Sequence, residues 1–356
     1  MEPKKKKIYF ISTDNQSGKT ATIIGLLLLL KEKGVKVGYF KPIGDPFSDI
    51  KVTKADKDVN VIHKVLERKF SRDQICPVFI SPNSFLDEIS LEKVEGIKDL
   101  IKSAFDDILE KVELIIIEGN HFYQQMYSIG LSDMVLAKLL DSEVIIISKC
   151  ENDNDFDKTL VSIDYVKNFG LKIIGVIFSN VTELQNNKIL EIYKPILKQK
   201  DIELLGIIPR SKLLTSPTIA EIIDSINGKL ITEDFDIVKD RIIENFIIGA
   251  MQATDALGYM RKSKNLGVIT GGDRSDIIIT ATEAGASLII LTGNLQPDIG
   301  AFNKAKEANI PIILTPMDSY TTAYNIQNIR TQIQEGEVNL CKQYVKENIN
   351  WKKIIE

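Results

Sequence analysis

The chain has 356 residues, 44% of them hydrophobic, and a formal net charge of -4; that length holds two domains with cores of their own, and the interspersed charges give no electrostatic case for nucleic acid as a partner. The strongly apolar stretch at residues 23–30 is far shorter than a bilayer span and lies between lysines, so it reads as a buried helix and not as a membrane anchor. Cys76, Cys150 and Cys341 are isolated and odd in number, which suits a reducing, cytoplasmic setting and excludes a thiolate zinc site, and His63 and His121 are too few and too scattered for a metal cluster.

From the N-terminus, the basic run at residues 4–7 reads as a solvated lead into an apolar strand at residues 8–11. Ser12-Thr13-Asp14-Asn15-Gln16-Ser17-Gly18-Lys19-Thr20 follows, and residues 21–33 are helical in pattern. Phosphate concentrates negative charge, so a site for it needs inward N–H groups, a helix N-terminus, a cation and a hydroxyl on the Mg²⁺ side. Gly18, Lys19 and Thr20 supply the last three in that order. The usual phosphate-loop pattern has a glycine at the position of Thr13, so the match is to a variant one residue longer with Ser12 in the leading place. Thr13, Asp14, Ser17, Gly18, Lys19 and Thr20 are therefore the candidate nucleotide-binding residues. The alternative is an ordinary strand-turn-helix with an exposed lysine.

A second strand is predicted at residues 35–41, ending in Lys41-Pro42-Ile43-Gly44. In an open parallel sheet ligands gather beyond the carboxyl ends of strands, which puts Lys41 on the rim of the phosphate loop; a surface lysine before a proline turn is the other reading. Ser12-Thr13-Asp14 with Gly18-Lys19-Thr20, followed by Gly38-Tyr39-Phe40-Lys41-Pro42, resembles the dethiobiotin synthetase group of P-loop proteins. The closer likeness is to the synthetase-like N-terminal region of long phosphate acetyltransferases. The resemblance implies ATP and Mg²⁺ as ligands and an acidic residue near position 58 that helps hold the metal, for which Asp58 is the candidate. Carboxylates suit a hard, largely hydrated cation, while Asp56 and Asp58, standing before a helical pattern, could equally be caps.

Residues 91–112 form an amphipathic helix pattern, and residues 114–117 a continuous aliphatic strand of the kind found in a parallel sheet covered on both sides. That strand ends in Glu118-Gly119, like the corresponding strand of the family, which implies Glu118 on the metal side. Family members that form dethiobiotin continue with a glycine-rich turn; this chain continues Asn120-His121-Phe122-Tyr123, which removes much of the case for the same substrate. His121 stays open between a ligand contact and an ordinary loop histidine. Further strands are predicted at residues 143–147, 172–178 and 203–208. Asn180, after the second of these, inherits by resemblance a contact to the nucleobase, since an amide offers donor and acceptor together; an Asx-turn is the alternative. Strands alternating with helices give a doubly wound, mainly parallel α/β P-loop domain over residues 1–210.

The rhythm breaks at residues 211–217, where the second domain, residues 211–356, is expected to begin. A short helix at 218–226 and an Asn227-Gly228 turn precede strands at 266–270, 287–291 and 311–314, each followed by a helix. Their polar turns would bring Asp273, Arg274, Asn294 and Asp318 to one rim as a second candidate site. Gly271-Gly272-Asp273-Arg274 could take an anion on free N–H groups and a guanidinium, or Asp273 could cap the following helix. This part resembles the DRTGG domain, a smaller α/β unit, and the resemblance leaves its small-molecule ligand unknown. Residues 338–355 form an amphipathic tail expected to dock on its own domain or on a partner subunit, in keeping with a homo-oligomer, and not on a membrane.

The order of a synthetase-like domain and a DRTGG domain resembles the N-terminal portion of long phosphate acetyltransferases, which continue into an acyltransferase domain. The resulting expectation is a stand-alone ATP- and Mg²⁺-binding protein of regulatory role that does not itself transfer acetyl groups, with turnover of ATP left open. The alternative is an ATP-dependent carboxylate-activating ligase of the dethiobiotin synthetase or cobyrinic acid a,c-diamide synthase kind. In that case Lys19 and Lys41 would stabilise the transferring phosphoryl group. A degenerate loop that binds no nucleotide is the third reading.

Overall fold

The computed structural model describes residues 5–46, 56–232, 234–329, 331 and 333–355. It divides into two compact units, residues 1–210 with 332–356, and residues 211–331. In the first, strands β1 (Lys6–Ser12), β2 (Val37–Phe40), β5 (Leu114–Glu118), β6 (Glu143–Lys149), β7 (Ile173–Val181) and β8 (Leu204–Pro209) form one sheet in the order β2-β5-β1-β6-β7-β8, all parallel. The two-residue strands β3 (Ile43–Gly44) and β4 (Val78–Phe79) pair separately. Ile8 to Ile11, Ile115 to Ile117 and Ile145 to Ile147 are fully buried, because helices cover both faces and every side chain along these strands meets apolar neighbours. From β1 the chain moves to one side for β2 and β5 and to the other for β6, β7 and β8. The sheet order therefore reverses at the carboxyl end of β1, where an open α/β sheet leaves its crevice.

Helix α1 (Lys19–Glu32) leaves β1 through the phosphate loop, and Ile23, Ile24, Leu26, Leu27 and Leu30 are buried all round it. A helix apolar on every side needs cover on every side. The sheet supplies one flank, and the helix Val338–Asn348 supplies another. The two helices touch backbone to backbone: a Cβ at Gly25 would stand 2.4 Å from the carbonyl oxygen of Cys341, so only glycine permits the approach. Beyond it, Ile349 bridges antiparallel to Gly206 on β8, Asn350 N–H donates to the Leu205 carbonyl at 2.7 Å, and the helix Trp351–Ile355 follows. The expectation that the tail packs with residues 211–331 is therefore corrected. Its apolar side chains Cys341, Val345, Ile349 and Ile354 are buried in the first unit, covering α1 and part of the edge strand β8.

The second unit is a five-stranded sheet of β9 (Lys229–Leu230), β10 (Asn245–Ile248), β11 (Leu266–Gly271), β12 (Leu288–Thr292) and β13 (Ile312–Leu314), in the order β10-β11-β12-β13-β9. Strands β10 to β13 run parallel and β9 antiparallel. Successive residues feed opposite faces: Val268, Ile289 and Ile312 join a cluster with Ile277, Ile278 and Ala281, whereas Ile269, Ile290 and Ile313 join Ile219, Ile222 and Ile226. Strand β10 and the helix Ala253–Met260 lie where no element was predicted. Among the described residues no helix is long and apolar enough to cross a membrane.

Candidate functional site

Between β1 and α1, Gly18 caps the helix in the left-handed region, φ 74°, a conformation that favours glycine, and Gln16 also has positive φ. The loop is tied down at both ends. Ser12 Oγ donates to the His121 carbonyl at 2.7 Å, and the Ser17 carbonyl accepts from Ser179 Oγ, at the end of β7, at 2.5 Å. Thr13 belongs to this scaffold more than to a cradle, since its N–H donates to the Ile147 carbonyl at 3.2 Å and its hydroxyl to Ser148 Oγ at 3.1 Å. Asp14 reaches Lys158 at 3.5 Å. Ser17 is buried, leaving Gly18, Lys19 and Thr20 at the mouth of α1.

Thr20 Oγ1 donates to Glu118 Oε1 at 2.6 Å and lies 3.4 Å from Asp58 Oδ2. The three residues expected on the metal side are thus brought together from α1, the carboxyl end of β5 and the first turn of α2 (Lys57–Val65). Asp56, not Asp58, is the cap of α2, accepting the N–H groups of Asp58 and Val59. Asp56 also pairs with Lys41 at 2.6 Å, and Lys41 lies 3.8 Å from Asp58. Tyr39 on β2 donates to the other oxygen of Glu118 at 2.7 Å. Burial works against the Lys41 ammonium, but Asp56, Glu118 and Asp58 outweigh it and hold it well above its ordinary pKa. Burial pushes Asp58 up to about 7; Lys41 opposes that rise, and Asp56 and Glu118 add to it. One hydroxyl and two carboxylates are hard oxygen donors of the kind Mg²⁺ takes while keeping several waters, and a divalent cation would relieve the crowding of negative charge there. Among the described residues no group of three His, Cys, Asp or Glu side chains could hold a metal by itself.

Lys19 is buried, and its ammonium donates to the carbonyls of Gly119, at 2.6 Å, and Asn120. Burial lowers its pKa, with Asp133 and then Glu118 pulling it back up. Asp133 went unsuspected in the sequence because Ser132-Asp133 before an apolar run reads as an ordinary helix start. It opens the helix Asp133–Leu139 with no exposed surface, and its Oδ1 accepts from Asn120 N–H at 2.8 Å and Tyr9 OH at 3.3 Å. Asn180 stands at the end of β7 with φ 57°. Its amide donates to Glu151 at 2.9 Å and accepts from Arg210 at 3.0 Å, and Arg210 also pairs with Glu151, so both halves that a base would use are held by neighbours. His121 Nε2 lies 3.4 Å from Asp45. Beside the loop is a pocket of about 780 Å³ lined by Thr13, Asp14, Phe122, Tyr123 and Lys158 among others.

In the second unit the predicted turns follow the parallel strands β11, β12 and β13 at one end of the sheet. Arg274 makes a two-pronged contact with Asp276, both arms 3.0 Å, and donates to the carbonyls of Gly249 and Met251 at 3.4 and 3.2 Å. Asp273 is exposed, and no side chain caps the helix Ser275–Glu283, so the capping role weighed for Asp273 is not taken. Asp318 does cap, holding the N–H groups of Tyr320 and Thr321 at 2.8 and 3.0 Å. Asn294 N–H donates to the Thr315 carbonyl at 2.8 Å, binding the β12 turn to the β13 turn.

Comparison with known proteins follows the same division. The family model of the AAA domain matches residues 6–218 and that of the DRTGG domain residues 221–329. A phosphate acetyltransferase of Synechocystis is 25% identical over 349 residues, covering 90% of this chain and 47% of that protein. The chain spans about half the length of the phosphate acetyltransferases it matches. An ATP-dependent dethiobiotin synthetase of Methanocaldococcus jannaschii is 28% identical over 209 residues, covering 56% of this chain and 92% of that protein. Among solved structures, the septum site-determining protein MinD of Pyrococcus horikoshii with Mg-ADP is similar over 59% of this chain and 83% of its own, with 17% identity and a TM-score of 0.37. With the first model covering more than half of its length, the chain belongs to the AAA domain family, as a dethiobiotin synthetase-like P-loop domain followed by a DRTGG domain in the arrangement of the N-terminal half of phosphate acetyltransferases.

Proposed function

We propose that the first unit binds ATP with Mg²⁺ and that the protein is a regulatory nucleotide-binding protein related to the N-terminal part of phosphate acetyltransferases. The observation that carries this reading is the meeting of Thr20 with Glu118 at 2.6 Å and with Asp58 at 3.4 Å, at the mouth of a helix whose cap is a left-handed glycine. The helix end favours anionic phosphate. Lys19 contributes positive charge from a site sheltered from water, where it acts more strongly than at the surface. Thr20, Glu118 and Asp58 would hold Mg²⁺, which supplies charge neutralisation of the phosphates. Asn180, with Glu151 and Arg210 around it, would meet the base after giving up one of its present bonds.

A second reading, an ATP-dependent carboxylate-activating ligase, is favoured by the pocket of about 780 Å³ beside the loop, roomy enough for a second substrate. Lys41 supports it less, because its ammonium is committed to Asp56. The measurement that tests the main reading is thermal unfolding with millimolar MgATP: a rise in Tm that vanishes in Lys19→Ala is expected, and no rise in the unaltered protein refutes nucleotide binding. Phosphate release without a second substrate would fit the regulatory reading, whereas release only on adding a carboxylic acid would fit the ligase.

A further inference from the structure

Asp133 is assigned neither to phosphate nor to the metal, yet it is a fully buried carboxyl that holds the backbone just after Glu118. Its Oδ1 is occupied by Asn120 N–H and Tyr9 OH, and its Oδ2 has no hydrogen-bond partner. That free oxygen lies against the backbone of Gly119, where an added Cβ would stand 2.4 Å from it. From another side of the same dipeptide, the Lys19 ammonium donates to the carbonyls of Gly119 and Asn120. A carboxylate and an ammonium thus grip one Gly-Asn unit.

The other charges near Lys19 are Glu118, Asp58 and Lys41. Glu118 already accepts from Tyr39 and Thr20, and Asp58 lies beside Lys41, which Asp56 also engages. Lys19 and Asp133 form no direct ion pair; they meet through the Gly119–Asn120 backbone that both hold, and across it Asp133 favours the charged form of Lys19 while Lys19 opposes the effect of burial at Asp133. A buried carboxylate without a counter-charge costs several kcal/mol, so the pairing has a physical reason.

We propose that Asp133 is the buried counter-ion of Lys19, a positioning residue that fixes the Gly119–Asn120 unit and through its carbonyls holds the phosphate-loop ammonium in place before any phosphate arrives. The lysine is then preorganised by a residue far from it in sequence, and phosphate meets a charge that needs no reordering.

A double-mutant cycle in the full chain tests this, with Asp133→Asn, Lys19→Met and the pair. Lys19→Met alone leaves the carboxylate buried and uncompensated, so its urea midpoint should fall, and adding Asp133→Asn should restore a good part of the loss. Losses that simply add overturn the proposal. Should Lys19→Met fail to fold, recovery of a folded chain in the pair supports it and failure of both overturns it. This arm uses no nucleotide and so stands apart from the proposed function, on which a second arm rests. There Asp133→Asn should weaken MgATP about tenfold and adenosine not at all, because only phosphate meets Lys19; equal loss for both ligands overturns the role. If the unaltered protein binds no MgATP, the proposed function falls and the unfolding cycle alone decides the part played by Asp133.

Discussion

Both units end parallel strands in polar turns, yet they use their charged groups differently. Around the second sheet Arg274 is met by Asp276 two residues on, and Asp318 by the N–H groups of its own helix. Gly272 packs so tightly that a Cβ there would stand 1.8 Å from the carbonyl oxygen of Leu295. In the first unit the charged groups come from the residue after β2, from β5, α1 and α2 with its cap, and from the helix Asp133–Leu139; most of them are buried, and Asp133 keeps one oxygen unpartnered. Local satisfaction stabilises a turn, while long-range gathering of incompletely matched charge costs stability and leaves a place where a ligand can repay it. The difference lies in the distance along the chain between partners, not in the number of polar residues.

Removing residues 338–355 should break the contrast most severely. That strips Cys341, Val345, Ile349 and Ile354 from the first unit, with a loss on the order of 5 kcal/mol or more at ordinary burial energies. Urea unfolding should show the first unit melting early with its MgATP response gone and the second unit's transition unmoved. A matched pair of glycines gives the next effect. Gly272→Ala should cost the second unit about 3 kcal/mol by overpacking and leave the MgATP response intact. Gly119→Ala, whose Cβ would meet Asp133 Oδ2 at 2.4 Å, should cost the first unit similarly and abolish that response.

Acid separates Asp133 from the aspartates of the second unit's turns by sign. Burial raises Asp133 to about 6 from an ordinary 3.8, so the folded state binds its proton more tightly than the unfolded chain. The contribution of this group to stability therefore falls as pH rises between about 4 and 6, by about 2 to 3 kcal/mol at most, and Asp133→Asn should flatten that decline. In the second unit, Arg274 holds Asp276, and Thr321 holds Asp318, below the ordinary carboxylate range. Their contribution is present above that range and lost as pH falls through their folded values. Urea midpoints taken from pH 3 to 7 check both slopes. The smallest effect is Arg274→Ala, which breaks a half-exposed pair and should leave the urea midpoint nearly unmoved, with no change in the MgATP response.

These differences also mark what could be read from the amino-acid order. Gly18, Lys19 and Thr20 are legible because phosphate chemistry demands those residue types at adjacent positions, and the parallel sheet is legible in runs such as 114–117 that do not alternate. Asp58 and Glu118 are legible only through the resemblance to the dethiobiotin synthetase group, and the structure gathers both at Thr20. Asp133 is not legible: its surroundings depend on the missing side chain of Gly119 and on where Tyr9 falls across the sheet. Nor is the partner of the helix Val338–Asn348, since an amphipathic pattern states that a face must be covered without saying by what. The one trace is Gly25, a glycine amid the leucines of α1 that lets another backbone approach. The short strand β10 escaped because its four residues sit in an interval without sustained periodicity.

The return of residues 338–355 to α1 makes the first unit discontinuous in the chain. During translation α1 leaves the ribosome early, but the segment that covers its last apolar flank follows only after the whole of the second unit. Domains commonly fold in the order they are made; here the whole of the intervening unit is synthesised before the last segment of the first. A chaperone that shields aliphatic helices, or MgATP itself if it binds the half-built site, would have its greatest effect in that interval.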